Sequence, residues 1–142
     1  MDRRALLQAT AGLAATLGLG RAAMAASPLT VAVMIPQSGP AGLFGPTAKA
    51  CAELAAEVIN AQGGVLGRPL KLAFGDAGAA PAEAAQSALK LWRGAGAGAV
   101  IGMHDSAVRG ALVNLFKGQV PYFYTPVYEG GECAKGTYMN GE

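Results

Sequence analysis

Short apolar runs alternate along this chain with longer stretches whose apolar residues recur every three or four positions. Leu29 to Ile35 (LTVAVMI) is nearly all apolar and rich in β-branched residues, which predicts a strand buried on both faces. The loop PQSGPAGLFGP follows, and from Thr47 the period becomes helical. Cys51, Leu54, Ala55, Val58 and Ile59 share one stripe, with Lys49, Glu53 and Glu57 on the other side. Gly63-Gly64 is the stop signal. Pro69 to Phe74 reads as a second strand, closed by Gly75-Asp76. Pro81 opens a second helix, with Ala85, Ala88, Leu89 and Trp92 as its buried stripe. A third strand ends at Gly102. A third helix begins at Ser106, with Val108, Leu112, Leu115 and Phe116 facing inward, and Gly118 ends it. Pro121 to Thr125 is a fourth strand, and TYMNGE begins a fifth.

This alternation predicts an α/β fold, a doubly wound and mostly parallel sheet with helices on both faces. In such sheets ligands bind beyond the carboxyl ends of the strands. Four segments converge there: the loop of residues 36–45, Gly75-Asp76, Met103 to Ser106, and Thr125 to Glu129. The chain stops as a strand begins, so it reads as the first part of a longer protein.

Composition sharpens the picture at the amino end. Asp2-Arg3-Arg4, an uncharged apolar run from Ala5 to Leu19, and Ala23-Met24-Ala25 have the layout of an export signal over residues 1–25. The Arg3-Arg4 pair is compatible with twin-arginine or general secretory export. The run is shorter than the ~20 residues a membrane-spanning helix needs. Without this segment, which holds Asp2, Arg3, Arg4 and Arg21, eight basic and eight acidic side chains remain of the 11 and 9 in the whole chain. No basic surface is left to attract nucleic acid. The mature part, residues 26–142, is then expected in the periplasm with no membrane insertion of its own.

Chemistry-bearing residues are few. His104-Asp105-Ser106 holds the residue types of a hydrolase triad, but three consecutive side chains point different ways and cannot converge. Ser106 reads as an N-cap, and a helix start offers free N–H donors to a carboxylate or amide oxygen. Gly39, Gly42 and Gly45 with Asp76 loosely imitate a dinucleotide fingerprint, but Pro40 and Pro46 interrupt it and the spacing is wrong. No cofactor is expected, and one histidine with two separated cysteines makes no metal site. Cys51, on the apolar stripe, reads as a buried thiol, and Cys133 lies in a Gly-rich loop. Whether they pair with each other or with another cysteine stays open. Phe44 is a pocket wall or a core plug. Thr125 caps or meets a ligand. Tyr128 stacks or packs. Glu129 binds an ammonium group or is solvated.

Four stretches together resemble the periplasmic solute-binding proteins of ABC importers, in the group that takes branched-chain amino acids, amides and urea. They are VAVMIPQSGPAGLFGP, AAEVINAQGGVLGRPLKL, AVIGMHDSA and VPYFYTPVYEG. The join VINAQGGVLGRPL is the most specific of them. The resemblance implies two α/β lobes closing on a small solute, with this chain supplying most of the first, and no enzymatic activity. It also implies a membrane permease as partner. By the same resemblance Ser106 holds the ligand's carboxylate or amide, and the backbone of His104 and Asp105, Phe44, Thr125, Tyr128 and Glu129 complete this wall. Leucine-binding members often pair a cysteine beside the binding serine with one on the first helix; here that neighbour is Asp105. TPVYEG is similar to the amide and urea branch, and Asp105 disfavours an anion beside it. Two alternatives share the α/β pattern: a ligand-sensing domain of a receptor or regulator, and a Rossmann-type oxidoreductase.

Overall fold

The computed structural model describes residues 27–141. Its elements follow the expected alternation. Strand β1 (Leu29–Ile35) leads through a 3-10 turn (Pro40–Phe44) into helix α1 (Gly45–Ala61). Then come β2 (Leu70–Asp76), α2 (Pro81–Leu89) with a π-type turn (Lys90–Gly94), β3 (Ala99–Gly102), α3 (Ser106–Phe116), β4 (Tyr122–Tyr124) and β5 (Thr137–Met139). The strands form one sheet in the order β2-β1-β3-β4-β5, with every pairing parallel. The order reverses at β1, so β1 and β3 flank the point where connections leave in opposite directions. A crevice opens there by construction.

The two faces of the sheet are filled differently. Ala32, Met34, Val100, Tyr122 and Tyr124 point to the face covered by α2 and α3, where Ala84, Ala88, Val108, Leu112 and Phe116 are also buried. The π-type turn carries Trp92 edge-on to Phe116, their centroids 5.6 Å apart. On the other face Val31, Val33 and Ile35 pack with Leu70, Leu72 and Phe74 under α1.

Helix α1 does not use its expected stripe. It lays Ala48 and Ala52 on the strands and buries Ala56, while Cys51 is exposed and Leu54 and Val58 are 62% and 49% exposed. The seated face is turned by about one residue's rotation from the bulkier stripe. Small side chains let the helix backbone sit close to a sheet face already filled by valine, isoleucine and phenylalanine. Cys51 is therefore not the buried thiol expected, and both cysteines are free.

The join after α1 has a physical cause. The Asn60 side chain donates to the Leu70 carbonyl (2.9 Å) and accepts from the Leu70 N–H (2.7 Å). One amide thus clamps the helix end to the first residue of β2 on both sides. Gly64 packs its bare Cα against the Arg68 carbonyl, where any side chain would collide.

Candidate functional site

At the carboxyl end of the sheet a cleft of about 340 Å³ is lined by Phe44, His104, Asp105 and Thr125, joined by Pro36, Ala41, Met103 and Pro126. These residues come from the ends of β1, β3 and β4 and from the 3-10 turn. An apolar trough of about 350 Å³ adjoins it, sharing Phe44, Met103 and Thr125, and runs between β3 and α1. Phe44 is half exposed, so it is a wall rather than a core plug.

The first loop is held in place by Asp76, the last residue of β2. Its Oδ1 accepts from the backbone N–H groups of Gln37 (2.9 Å), Ser38 (3.2 Å) and Gly78 (2.8 Å). Burial pushes this carboxyl up, but hydrogen bonds from the Ser38 hydroxyl and these N–H groups outweigh it and leave it below its ordinary value. Gly45 packs against the Pro36 carbonyl where a Cβ would collide. The glycines and the acid of the loose dinucleotide pattern thus have structural work, folding the loop onto β1.

Helix α3 starts at Ser106, as the sequence suggested, but its cap is a different residue. Asp105, not Ser106, is the N-cap: its backbone is extended and its Oδ1 accepts from the Val108 N–H at 2.8 Å. Aspartate outcompetes serine here because an ionised acceptor makes the stronger bond to a helix N–H. Ser106 is the first helical residue, which frees its hydroxyl for other partners.

His104 lines the cleft but is only 7% exposed. Its ring lies over Gly102, whose missing Cβ makes the room. The Asp105 carbonyl, 3.1 Å from Nδ1, can only accept, so Nδ1 carries the proton. Nε2 then accepts from the Tyr122 hydroxyl at 2.9 Å. Burial is the main reason the imidazole pKa is lowered, and the neutral ring fits this bonding. Burial likewise raises the Tyr122 hydroxyl. The Tyr124 hydroxyl donates to the His104 carbonyl at 2.8 Å, fixing the strand-to-helix corner.

Ser106, Tyr128 and Glu129 gather around a residue that the apolar periodicity passed over, Arg109. This arginine is 7% exposed. Its guanidinium carbon lies 5.0 Å from the Tyr124 ring centroid and 5.2 Å from that of Tyr128. Its Nη2 is 3.3 Å from Glu129 Oε1, and its Nε is 3.6 Å from Glu132 Oε2. Ser106 Oγ donates to Glu129 Oε2 at 2.7 Å and accepts from Arg109 Nη1 at 3.2 Å. The Ser106 hydroxyl, a backbone N–H and Arg109 hold the Glu129 carboxyl down to about 2. Glu129 is thus solvent-facing but not idle. A signal for Arg109 existed: it lies three residues after Ser106 on the buried side of α3, and such a cation needs the acids that Glu129 and Glu132 supply. Thr125 donates its hydroxyl to the Gly102 carbonyl (3.0 Å), tying β4 to β3 at the cleft.

A parallel sheet with an apolar, polar-rimmed cleft at its switch point defines a ligand-binding α/β lobe. A family model described as periplasmic binding protein matches residues 28–142, and the chain belongs to that family. It is 36% identical over 85 residues to Leu/Ile/Val-binding protein homolog 3 of Brucella melitensis, covering 60% of this chain and 23% of that protein. Among solved structures it is similar to the branched-chain amino acid transporter substrate-binding protein LivJ of Streptococcus pneumoniae in complex with isoleucine. That likeness has 28% identity and a TM-score of 0.62 over 68% of this chain and 28% of the other. It is also similar to the leucine-binding protein LivK of Thermotoga maritima, at 25% identity and a TM-score of 0.58, over 68% of this chain and 27% of the other. The fold is a lobe of the type I periplasmic binding proteins, and the chain spans about a quarter of these relatives' length. No helix among the described residues is long and apolar enough to cross a membrane.

Proposed function

We propose that this chain forms the first ligand-binding wall of an extracytoplasmic solute receptor for an ABC importer, taking an amino acid, a small amide or urea. The observation that carries this reading is the cleft at the switch point, where Phe44, His104, Asp105 and Thr125 meet. Apolar walls with a few fixed polar groups suit a small solute with an apolar body. The similarity to an isoleucine-bound protein favours an amino acid or a close relative of one. Residues 1–25, which lie outside the described residues, act as the export signal in this reading. The permease is the membrane partner.

The test is a thermal-shift screen of the protein from its whole reading frame against amino acids, amides and urea. Binding raises the midpoint by mass action. Ser106→Ala then weakens the active ligand by about 1–3 kcal/mol, as for a polar group left unpaired on binding. A protein that responds to none of these solutes ends the reading.

A further inference from the structure

Charge is balanced over residues 26–142 but not evenly placed. In a parallel sheet of this kind the strands begin, and the helices finish, at the end opposite the cleft. Lys71 is the second residue of β2, and Lys135 lies two residues before β5. Lys90 and Arg93 lie in the π-type turn after α2, and Lys117 closes α3. All five are exposed, and among the described residues none has a carboxylate within ion-pair distance. Three of their turns abut. Arg93 donates to the Gln119 side chain at 2.8 Å, and Gly118 and Gly136 pack against each other. The acids gather elsewhere. Asp76, Glu83, Asp105 and Glu129 lie at the carboxyl end, Glu132 is held by Arg109, and Glu53 and Glu57 lie along α1. The helix ends offset only about half a charge each. The lack of a basic surface expected from the total charge therefore does not hold for this end of the sheet.

An apolar knob stands at the same end. The turn from α1 into β2 is closed by two bonds, from the Val65 N–H to the Arg68 carbonyl (2.9 Å) and from the Arg68 N–H to the Val65 carbonyl (3.0 Å). Its central residues, Leu66 and Gly67, have φ of 52° and 73°. Two positive φ angles in such a turn favour asparagine or glycine. Leucine there carries a backbone cost, and at 96% exposed it recovers nothing by packing. Strain and exposure at one residue have a common remedy, an apolar phase outside the molecule.

We infer that the amino end of the sheet is a lipid-docking surface, on which Leu66 enters the headgroup layer of an anionic bilayer and Lys71, Lys90, Arg93, Lys117 and Lys135 meet its phosphates. A convex apolar knob on a cation-bearing end suits a bilayer surface, which needs no matching groove. Docking of this kind is peripheral and spans nothing. It leaves the cleft at the far end of the lobe, off the surface by roughly 20 Å, the length of the seven-residue β1.

The experiment is vesicle sedimentation of the protein from its whole reading frame, made without residues 1–25, whose apolar run would bind lipid by itself. The vesicles are phosphatidylcholine alone, or phosphatidylcholine with an equal part of phosphatidylglycerol. The wild type sediments with the mixed vesicles and not with phosphatidylcholine alone. Salt of roughly 0.5 M releases it, because charge attraction then reaches only a few ångströms. Leu66→Asn suits the turn better and keeps the fold, yet weakens binding by about tenfold, the scale of one leucine withdrawn from an apolar phase. Lys90→Gln, Lys117→Gln and Lys135→Gln together weaken it by at least about thirtyfold. Lys49→Gln removes a cation from the first turn of α1, at the other end, and weakens it by less than about twofold. Circular dichroism of each variant confirms the fold before sedimentation. A wild type that binds neither vesicle, or both equally, overturns the inference. So does a Leu66→Asn or triple variant that binds as the wild type does. A Lys49→Gln loss as large per charge as that of the triple variant also overturns it, because net charge rather than this end would then be acting. The solute screen judges the cleft separately from all of these outcomes.

Discussion

Asp76 and Glu129 sit at opposite sides of the sheet's carboxyl end, one closing the edge strand β2 and the other following β4. Both carboxyls lie below their ordinary range. Their partners differ in kind. Asp76 is spent on three backbone N–H groups and the Ser38 hydroxyl of one loop, and fixes where that loop runs. Glu129 is spent on the side chains of Ser106 and Arg109 and fixes which way a hydroxyl points. The first is an architectural carboxylate. The second fixes side chains at the start of α3. The general lesson is that a lowered carboxyl says a group is held, and only its partners say what for.

The strongest way to break this contrast is to delete the cation on one side. Arg109→Ala removes a buried guanidinium that packs near two tyrosine rings and leaves Glu132 facing a void. A loss of about 2–4 kcal/mol in urea unfolding is expected, from lost packing and an unpaired, partly buried acid. If stability falls by less than a surface substitution would cost, Arg109 does not organise the Glu129 side. Next in size is Asp76→Ala, which strands three loop N–H groups and costs about 2 kcal/mol. Asp76→Asn keeps an acceptor oxygen and loses less than half as much. Equal losses would mean that the charge, not the geometry, holds the loop.

The sequence was legible where a residue's role follows from local period or chain direction. All five strands and three helices lie where the alternation puts them, and Phe44, His104, Asp105 and Thr125 do meet in one cleft. It was less legible where two elements compete for one role. The seat of α1 depended on how much room β1 and β2 leave, so alanines won over Leu54 and Val58. The cap of α3 depended on whether Asp105 or Ser106 meets the Val108 N–H, and the stronger acceptor won. Arg109 escaped notice because its burial is made by Tyr124, Tyr128, Glu129 and Glu132, all at least fifteen residues away. Asn60 and the glycines after it form a recognisable motif, yet its cause, the two-sided clamp on Leu70, shows only in three dimensions.

The smallest expected effect separates the two carboxylates most cleanly, and it is read by acid titration of stability. Each folded carboxyl is depressed, so the unfolded chain takes up protons first as pH falls. The stabilisation is fully present above the unfolded values, 4.5 for Glu129 and 3.8 for Asp76, and drains away as pH drops through the folded ones. For Glu129 that window runs from 4.5 down to about 2. His104 acts higher on the scale and is separable. Its lowered folded value means the unfolded imidazole charges first, so its contribution is lost as pH falls below 6.5. Within the carboxylate window salt tells the two acids apart. Glu129 faces solvent, so its hold on Arg109 is screened, whereas the Asp76 bonds are short-range donations from backbone. Glu129→Gln should flatten the acid slope only at low ionic strength, and Asp76→Asn should flatten it at both low and high. If salt erases the Asp76 difference as well, the two carboxylates are held by charge alike and the contrast between loop anchor and hydroxyl director fails.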